Sequence, residues 1–515
     1  MRQRHKILLT LGVMLASVAL AAGLYHWHLK AVNEAYMAQL VTQGEPMSLA
    51  QVLPPPVPPS ENSADIFLRA AEMLNADASL IHSNDVMAML LVAPGKALVC
   101  SSQPLALGYE STNTWGELAC AVENNHSSLD SLRLIVRHPG LDFKINYLHG
   151  MGDSMEFTNL HLGELKKAGG YLTAAAVLAL HHGHITNAVE HQRTLLALIF
   201  AMKNQRFVIS ELVRMAMLSS AQKINWEILQ AAGPTESQLA WLQSDWERLD
   251  FIQGCLDALI ADRAASEVIL KKWRQSAALV RAHFELEKQG REKMGDPTEF
   301  ASPLEKNTVI LKVFLWQQWW SYPDEMRSLK GYNVLLDTAR LLATNESFRV
   351  AIGSQQAQLA SLEITNIPDD IIALTHSFFV QSDFHCILSK SIVSLAGTFD
   401  RLLIAETTRQ MTIAALALQR FKLAQGHCPT QLAELVPAYV TSIPRDPVDG
   451  QPLRYRLLAD GNFLLYSVGE NGVDDGGNPA RADRDSDKSM NWLDRQNLDW
   501  VWPQPVARPA LPKDL

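Results

Sequence analysis

Apolar positions recur at helical spacing over most of this chain, and the few departures from that spacing divide it into parts. At the start, Arg2, Arg4 and Lys6 precede an uncharged apolar run from Ile7 to Tyr25. Such a run, at about 1.5 Å per residue, reaches about 28 Å, close to the ~30 Å hydrocarbon core of a bilayer. The pattern predicts an export signal or a signal anchor, with the cations in the cytoplasm and everything after Lys30 outside. Ala19-Leu20-Ala21 offers a small-residue cleavage site, while the run continues to Tyr25 with Trp27 placed for the interface. A cleaved signal and an uncleaved anchor both fit. Lys30 to Gly44 reads as a polar continuation of the same helix, and Pro54-Pro55-Pro56-Val57-Pro58-Pro59 as a stiff spacer.

Ser60-Glu61-Asn62 opens the next expected helix, which puts Ile66, Phe67, Ala70 and Leu74 on one face. Residues 76–112 are poorly periodic and are expected as loop with short helices. From Trp115 to about Arg401 the pattern is helical: Leu118–Val136, Leu162–His182, Thr186–Lys203, Phe207–Ala232, Glu236–Gln289 and Val309–Leu342. Alternating runs flanked by turn pairs are absent before residue 450, so residues 115–400 should hold no sheet of their own. Leu172–Leu198, with Gly183 at its turn and Ala188 placed for close packing, resembles one tetratricopeptide-type unit. No ~34-residue period emerges, so the body reads as an array of αα-hairpins.

Candidate chemistry in this body is sparse. Phosphate-binding, dinucleotide-binding, serine-elbow and zinc-peptidase motifs are missing from the sequence. His181, His182, His184 and His191 crowd one hairpin beside Glu190; imidazoles in such a group suit zinc or copper, or a solvated turn. His385-Cys386 is a second metal-capable pair without partners nearby in sequence. Ser210, Glu211 and Arg214, with Arg206 one turn earlier, sit on a very apolar helix and fit an internal ion pair or a polar groove. Trp316, Trp319, Trp320 and Tyr322 fit a packed helix end or a partner platform.

After the helix Ala405–Ala424, whose buried side carries Met411, Ala414, Ala415, Leu418 and Phe421, the text changes character. Gly426 ends the helix, and Leu432 and Leu435 face inward from a short helix stopped at Pro437. Asp449-Gly450 marks a tight turn, and Leu453–Leu458 with Asn462–Val468 form a hairpin across Ala459-Asp460-Gly461. Asp474 to Gly477 is a carboxylate-rich loop.

In order and spacing, Asp446-Pro447, Gly450, Tyr455, Tyr466-Ser467, Gly469 and Gly472 resemble the globular part of the major pseudopilin of type II secretion systems. The resemblance covers about Arg401 to Pro503 and implies a long helix, a short helix, a small antiparallel sheet and a calcium-holding loop. The chain departs from that family at its start: Met1–Tyr25 lacks a pseudopilin leader, and the module sits far downstream. Arg401, Glu406, Arg409 and Arg420 also make the helix unlike a filament-core helix. The whole arrangement is similar to uncharacterised bacterial envelope proteins, in which an anchor and a helical body precede such a module.

Hard cations want oxygen ligands, and Asp474, Asp475, Asp483, Asp485 and Asp487 supply them, so calcium is the expected cofactor. Asp483, Asp485 and Asp487 have EF-hand spacing with Asp494 at the twelfth position, but Lys488 stands where the loop's glycine belongs. A solvated acidic loop is the alternative.

Composition narrows the functional class. The chain has 515 residues, 48% of them apolar and 19% charged, enough for a large core and too apolar for a disordered chain. With 45 basic against 54 acidic residues the net charge is −9, which argues against nucleic-acid partners. Five cysteines are no disulfide framework; Cys100 with Cys120, or buried free thiols, are the two readings. The expected protein is mainly α: a signal anchor or signal peptide (1–30), a helix extension and Pro-rich linker (31–60), an α-helical hairpin body (61–400), a pseudopilin-like α+β module (401–503) and a tail (504–515). The expected function is a non-catalytic scaffold anchored in the inner membrane through residues 7–25, its body in the periplasm facing an envelope protein partner. It would be secreted if the signal is cleaved. The alternative is an extracytoplasmic hydrolase or other enzyme with its site in a groove of the helical body.

Overall fold

The computed structural model describes residues 2–74, 86–108, 112–145, 151–283, 313–364, 388–480 and 498–506. His385, Cys386, Asp483, Asp485, Asp487, Lys488 and Asp494 lie outside the described residues. The protein is mainly helical, and its contacts group it into two compact units. One comprises residues 1–53, 259–337 and 355–396; the other comprises 54–258, 338–354 and 397–515. Both units draw on the expected body, and the C-terminal module shares its unit with helices of that body.

In the larger unit the helices are α3 (Ala64–Met73), α4 (Trp115–Asn124), α5 (His126–Arg133), α6 (Met151–His181), α7 (Ile185–Ala201), α8 (Val208–Gln230) and α9 (Glu236–Glu247). The long helix α14 (Thr398–Gln425) joins them. Helices α6 and α7 form the expected hairpin about Gly183, α8 packs on both, and α14 lies against α8 and α9. Leu172, Leu195, Leu198, Leu218, Trp226, Trp246 and Leu416 are buried among them. Local chemistry sets the ends. Thr114 with Glu117, and Thr235 with Gln238, form capping boxes that satisfy the first free N–H groups of α4 and α9. Gly426 closes α14 at φ +81°, a conformation that costs glycine little.

The expected C-terminal hairpin is present as β5 (Arg454–Leu457) against β6 (Phe463–Ser467), with β7 (Trp500–Val501) on its other edge. The short helix before it, Leu432–Leu435, buries both leucines. Of the helix-face residues expected in α14, Met411, Ala414, Ala415, Leu418 and Phe421 are all buried.

Elsewhere the structure corrects the sequence reading. The expected loop at 76–112 holds a hairpin, β1 (Met89–Ala93) with β2 (Lys96–Val99), and a small pair, β3 (Ala106–Leu107) with β4 (Thr112–Asn113). Pro94-Gly95 makes the turn, with Gly95 at φ +67°. A third strand, β8 (Gln504–Val506), runs parallel to β2, so part of the expected tail is a strand. Trp226 on α8 donates its indole N–H to the carbonyl of Pro503 at 2.8 Å and fixes that approach. The helix expected over Leu118–Val136 breaks at Asn125, whose side chain donates back to Ala121 and opens α5. Glu236–Gln289 breaks after α9, and α10 (Phe251–Gln275) restarts beyond Asp250, whose carboxylate accepts the Gln253 N–H. Cys100, Cys120 and Cys428 are free thiols. Cys100 is buried and Cys120 exposed, so the proposed Cys100–Cys120 bridge is not made.

In the smaller unit α1 runs unbroken from Arg2 to Thr42, joining the apolar run to its polar continuation as expected. Residues Leu259–Gln275 of α10, a π turn at Trp316–Trp320 and the Ser321–Asp337 part of α11 (Ser321–Ala343) complete its described core. Leu270, Val280, Val313, Trp316 and Leu388 form one buried cluster there. The chain also has short helices α2 (Leu49–Val52) and α13 (Ser391–Ala396), and α12 (Phe348–Ser361), whose Phe348 N–H bonds Pro447. Among the described residues no helix is long and apolar enough to cross a membrane. The run at 7–25 is only partly described, because the side chains at positions 1–9, 11, 15, 18 and 19 are not among them.

Candidate functional site

The first candidate is the N-terminal helix and what packs beside it. Along α1, Val13, Met14, Leu20, Leu24 and Tyr25 are more than half exposed, and Trp27 is 68% exposed. Water would not tolerate such a row without cost, because each fully exposed large apolar side chain forgoes about 1.5–3 kcal/mol of burial. Just past that run, His26 donates its Nδ1–H to the Gln318 carbonyl and packs edge-on against Tyr322, 5.3 Å between ring centres. The aromatic cluster thus divides. Trp316 is buried and donates to Asp324 at 3.1 Å, as a packed helix end would, while Phe314 is 52% exposed and touches Trp319 edge-on.

One turn further, α1, α11 and Leu362 line an open pocket of about 310 Å³. Leu29, Val32, Tyr322, Pro323, Met326 and Leu362 give it apolar walls; Asn33, Arg327 and Lys330 supply the polar groups. Asn33 is buried and donates its Nδ2–H to Glu325, which fixes the amide orientation and leaves Oδ1 without a partner. Glu325 also holds Arg274. Burial, together with the facing Glu325, pushes Glu267 up to about 9.

The second candidate is the carboxylate set of the C-terminal module. Asp446, fully buried, accepts from Val448 N–H and Ser467 Oγ on one oxygen, and from Val468 N–H and Arg454 on the other, all at 2.8–3.1 Å. Burial raises its pKa against those bonds. Arg454 reaches on to Asp449 at 2.5 Å and lies 3.7 Å from Asp474. Asp449 is partly buried, yet Arg454 holds its carboxyl below the usual range. The expected metal ligands are placed differently from one another. Asp474 accepts from Tyr466 OH and the Gly476 N–H, both at 3.0 Å. Asp475 accepts from Asn471 at 3.0 Å. Among the described residues no cluster of three or more His, Cys, Asp or Glu side chains could hold a metal ion.

Asp499, absent from the sequence reading, organises this loop. It is buried and accepts the N–H groups of Asp475, Gly477 and Asn478 at 2.8–3.4 Å. Burial raises its pKa, and the three N–H groups oppose the rise. A lone aspartate before Trp500 carries no spacing signal, so only the fold reveals it.

The third candidate is the set of ionisable groups inside the helical body. Glu211 and Arg214 form an internal ion pair at 2.7 Å, each 1% exposed, with the guanidinium over the Phe251 ring and bonded to the Ile199 carbonyl. Gly254 is required there, because a Cβ would sit 2.7 Å from both partners. The histidines do not converge as ligands. His181 stacks on Trp115 and bonds the Ser101 carbonyl at 2.8 Å. His182 and His184 are exposed, whereas His191 is buried and pushed down to about 4 by burial and by the Arg133 and His126 charges. Glu227 has no counterpart in the sequence reading. It is fully buried, accepts Cys100 N–H at 2.5 Å, and meets Ser101 Oγ at 2.6 Å. Burial pushes it up to about 8. Compared with known proteins, the chain matches no family model, no curated protein and no solved structure.

Proposed function

We propose that this chain is an envelope-anchored interaction scaffold. In this reading residues 7–25 span the inner membrane with Arg2, Arg4 and Lys6 in the cytoplasm, and the helical body and C-terminal head lie in the periplasm. The observation that supports it is the exposed apolar face of α1, from Val13 to Trp27, which suits hydrocarbon and an interface better than water. The head, with its likeness to a pseudopilin globular part, meets an envelope protein partner, and its Asp474–Asp475 loop takes calcium together with carboxylates of the 483–487 stretch. A reporter that works only outside the cytoplasm, fused after residue 60, should be active. Activity of a cytoplasm-only reporter at the same junction would end this reading.

A second reading, a hydrolase with its site in the helical body, is favoured by the Glu227–Ser101 contact, a carboxyl held near about 8 beside a hydroxyl. The pair is closed by the Cys100 and Ser101 N–H groups, which suits a structural anchor for the 3-10 turn at Cys100–Ser102. A serine-directed phosphonate probe that labels the protein, and not its Ser101→Ala variant, would favour the hydrolase over the scaffold.

A further inference from the structure

The pocket between α1 and α11 combines three features that seldom meet by accident. Its walls are apolar, its polar rim carries Lys330 and Arg327, the latter 3.8 Å from the exposed Glu363, and its buried acceptor Asn33 Oδ1 has no partner. Asn33 cannot be flipped to remove that deficit, because its amide N–H is committed to Glu325. A ligand that completes the site therefore brings an anion for the cations, a hydroxyl or amine donor for Asn33, and an apolar part for Leu29, Val32 and Met326.

Position along α1 points to the source. Leu29 and Val32 lie four and seven residues past Tyr25, the end of the apolar run. At about 1.5 Å per residue that is roughly 6–10 Å beyond the hydrocarbon, the depth of lipid headgroups. Tyr25 and Trp27, both more than half exposed at the end of that run, supply the aromatic residues that favour the interface. We propose that the pocket holds the glycerol-phosphate headgroup of an anionic phospholipid: Arg327 and Lys330 on the phosphate, Asn33 Oδ1 accepting from a glycerol hydroxyl, and the start of the acyl chains along Leu29 and Val32. The depth argument rests on the anchor reading; the chemistry of the pocket does not.

The test uses the full chain, purified and delipidated in detergent, with retained lipid counted by native mass spectrometry. Phosphatidylglycerol, phosphatidylcholine and inorganic phosphate are offered in turn. The wild type should retain phosphatidylglycerol up to roughly thirtyfold over phosphatidylcholine, since two cations near anionic lipid contribute about 1 kcal/mol each. Arg327→Ala/Lys330→Ala should bring the two lipids level, while Arg281→Ala/Lys390→Ala, the same charge change at exposed positions, should keep the preference. Val32→Trp, which fills the pocket and leaves both cations, should lower phosphatidylglycerol retention as well. Equal retention of the two lipids by the wild type, or unchanged preference in both pocket variants, overturns the proposal. Inorganic phosphate retained as well as the lipid would make it a free-anion site and overturn it too. The anchor reading fails on a different result, release of the protein from membranes by alkaline carbonate.

Discussion

The two compact units differ most in where their large apolar side chains lie. In the larger unit three buried carboxylates are met by fixed donors, four on Asp446, three backbone N–H groups on Asp499 and Arg214 on Glu211, while Glu406 keeps one oxygen without a partner. In the smaller unit α1 leaves a row of large apolar side chains uncovered, and Asn33, Glu267 and Glu325 each keep a buried oxygen without a partner. An apolar row left exposed in water forgoes about 1.5–3 kcal/mol of burial for each large side chain, which is what the membrane proposal would recover.

The sharpest way to break the contrast is to unmake the satisfied centre. Asp446→Ala leaves Ser467 and two N–H groups without their acceptor and Arg454 with Asp449 alone; each buried donor left unmet costs about 1–3 kcal/mol. Asp474→Ala, by comparison, removes a half-exposed partner and should cost no more than about 1 kcal/mol. Chemical denaturation of the two variants side by side checks the difference. Equal losses would mean that Asp446 is not the hub.

Glu227 gives a pH-dependent version of the same test. Its carboxyl is neutral in the folded state up to about 8, but ionises at about 4.5 when unfolded. The folded state therefore holds more protons between those values, and stability should fall as pH rises from about 4.5 to 8. At about 1.36 kcal/mol per unit the fall is at most about 4–5 kcal/mol. Glu227→Gln, which stays neutral and keeps hydrogen-bonding capacity, should flatten that slope when unfolding is followed across this range. A slope that persists unchanged would place its origin in another group.

Calcium offers a smaller effect. A cation bound only by the folded loop stabilises by about 2.7 kcal/mol at a hundredfold excess over its Kd. The full chain should then melt higher in calcium than in chelator, and Asp474→Ala/Asp475→Ala should remove the shift. The full chain is the right material, since α14 packs against α8 and α9 and the module has no separate core. The same melting temperature in both solutions would leave a loop closed by Asp499 alone.

Much of this fold could be read directly from residues. The α6–α7 hairpin, the buried face of α14, its Gly426 stop and the β5–β6 hairpin each follow from local periodicity or turn chemistry. The β1–β2 hairpin had a local signal too, Pro94-Gly95 between Met89–Val92 and Ala97–Val99, but the short runs lack alternation. Its parallel partner β8, some 400 residues on, has no local signal at all. The same holds for the buried acids. Glu211 and Arg214 are three apart on one helix and legible as a pair. Glu227 and Asp499 depend on N–H groups brought from distant segments, so no spacing announces them.

The central claim, that α1 belongs in a bilayer, is tested most directly by partition. Membranes carrying the full chain are washed with alkaline carbonate, which strips peripheral proteins, and the pellet and supernatant are assayed. The account predicts that the chain stays with the pellet, and that removing residues 7–25 releases it. Recovery of the intact chain in the supernatant would contradict the account.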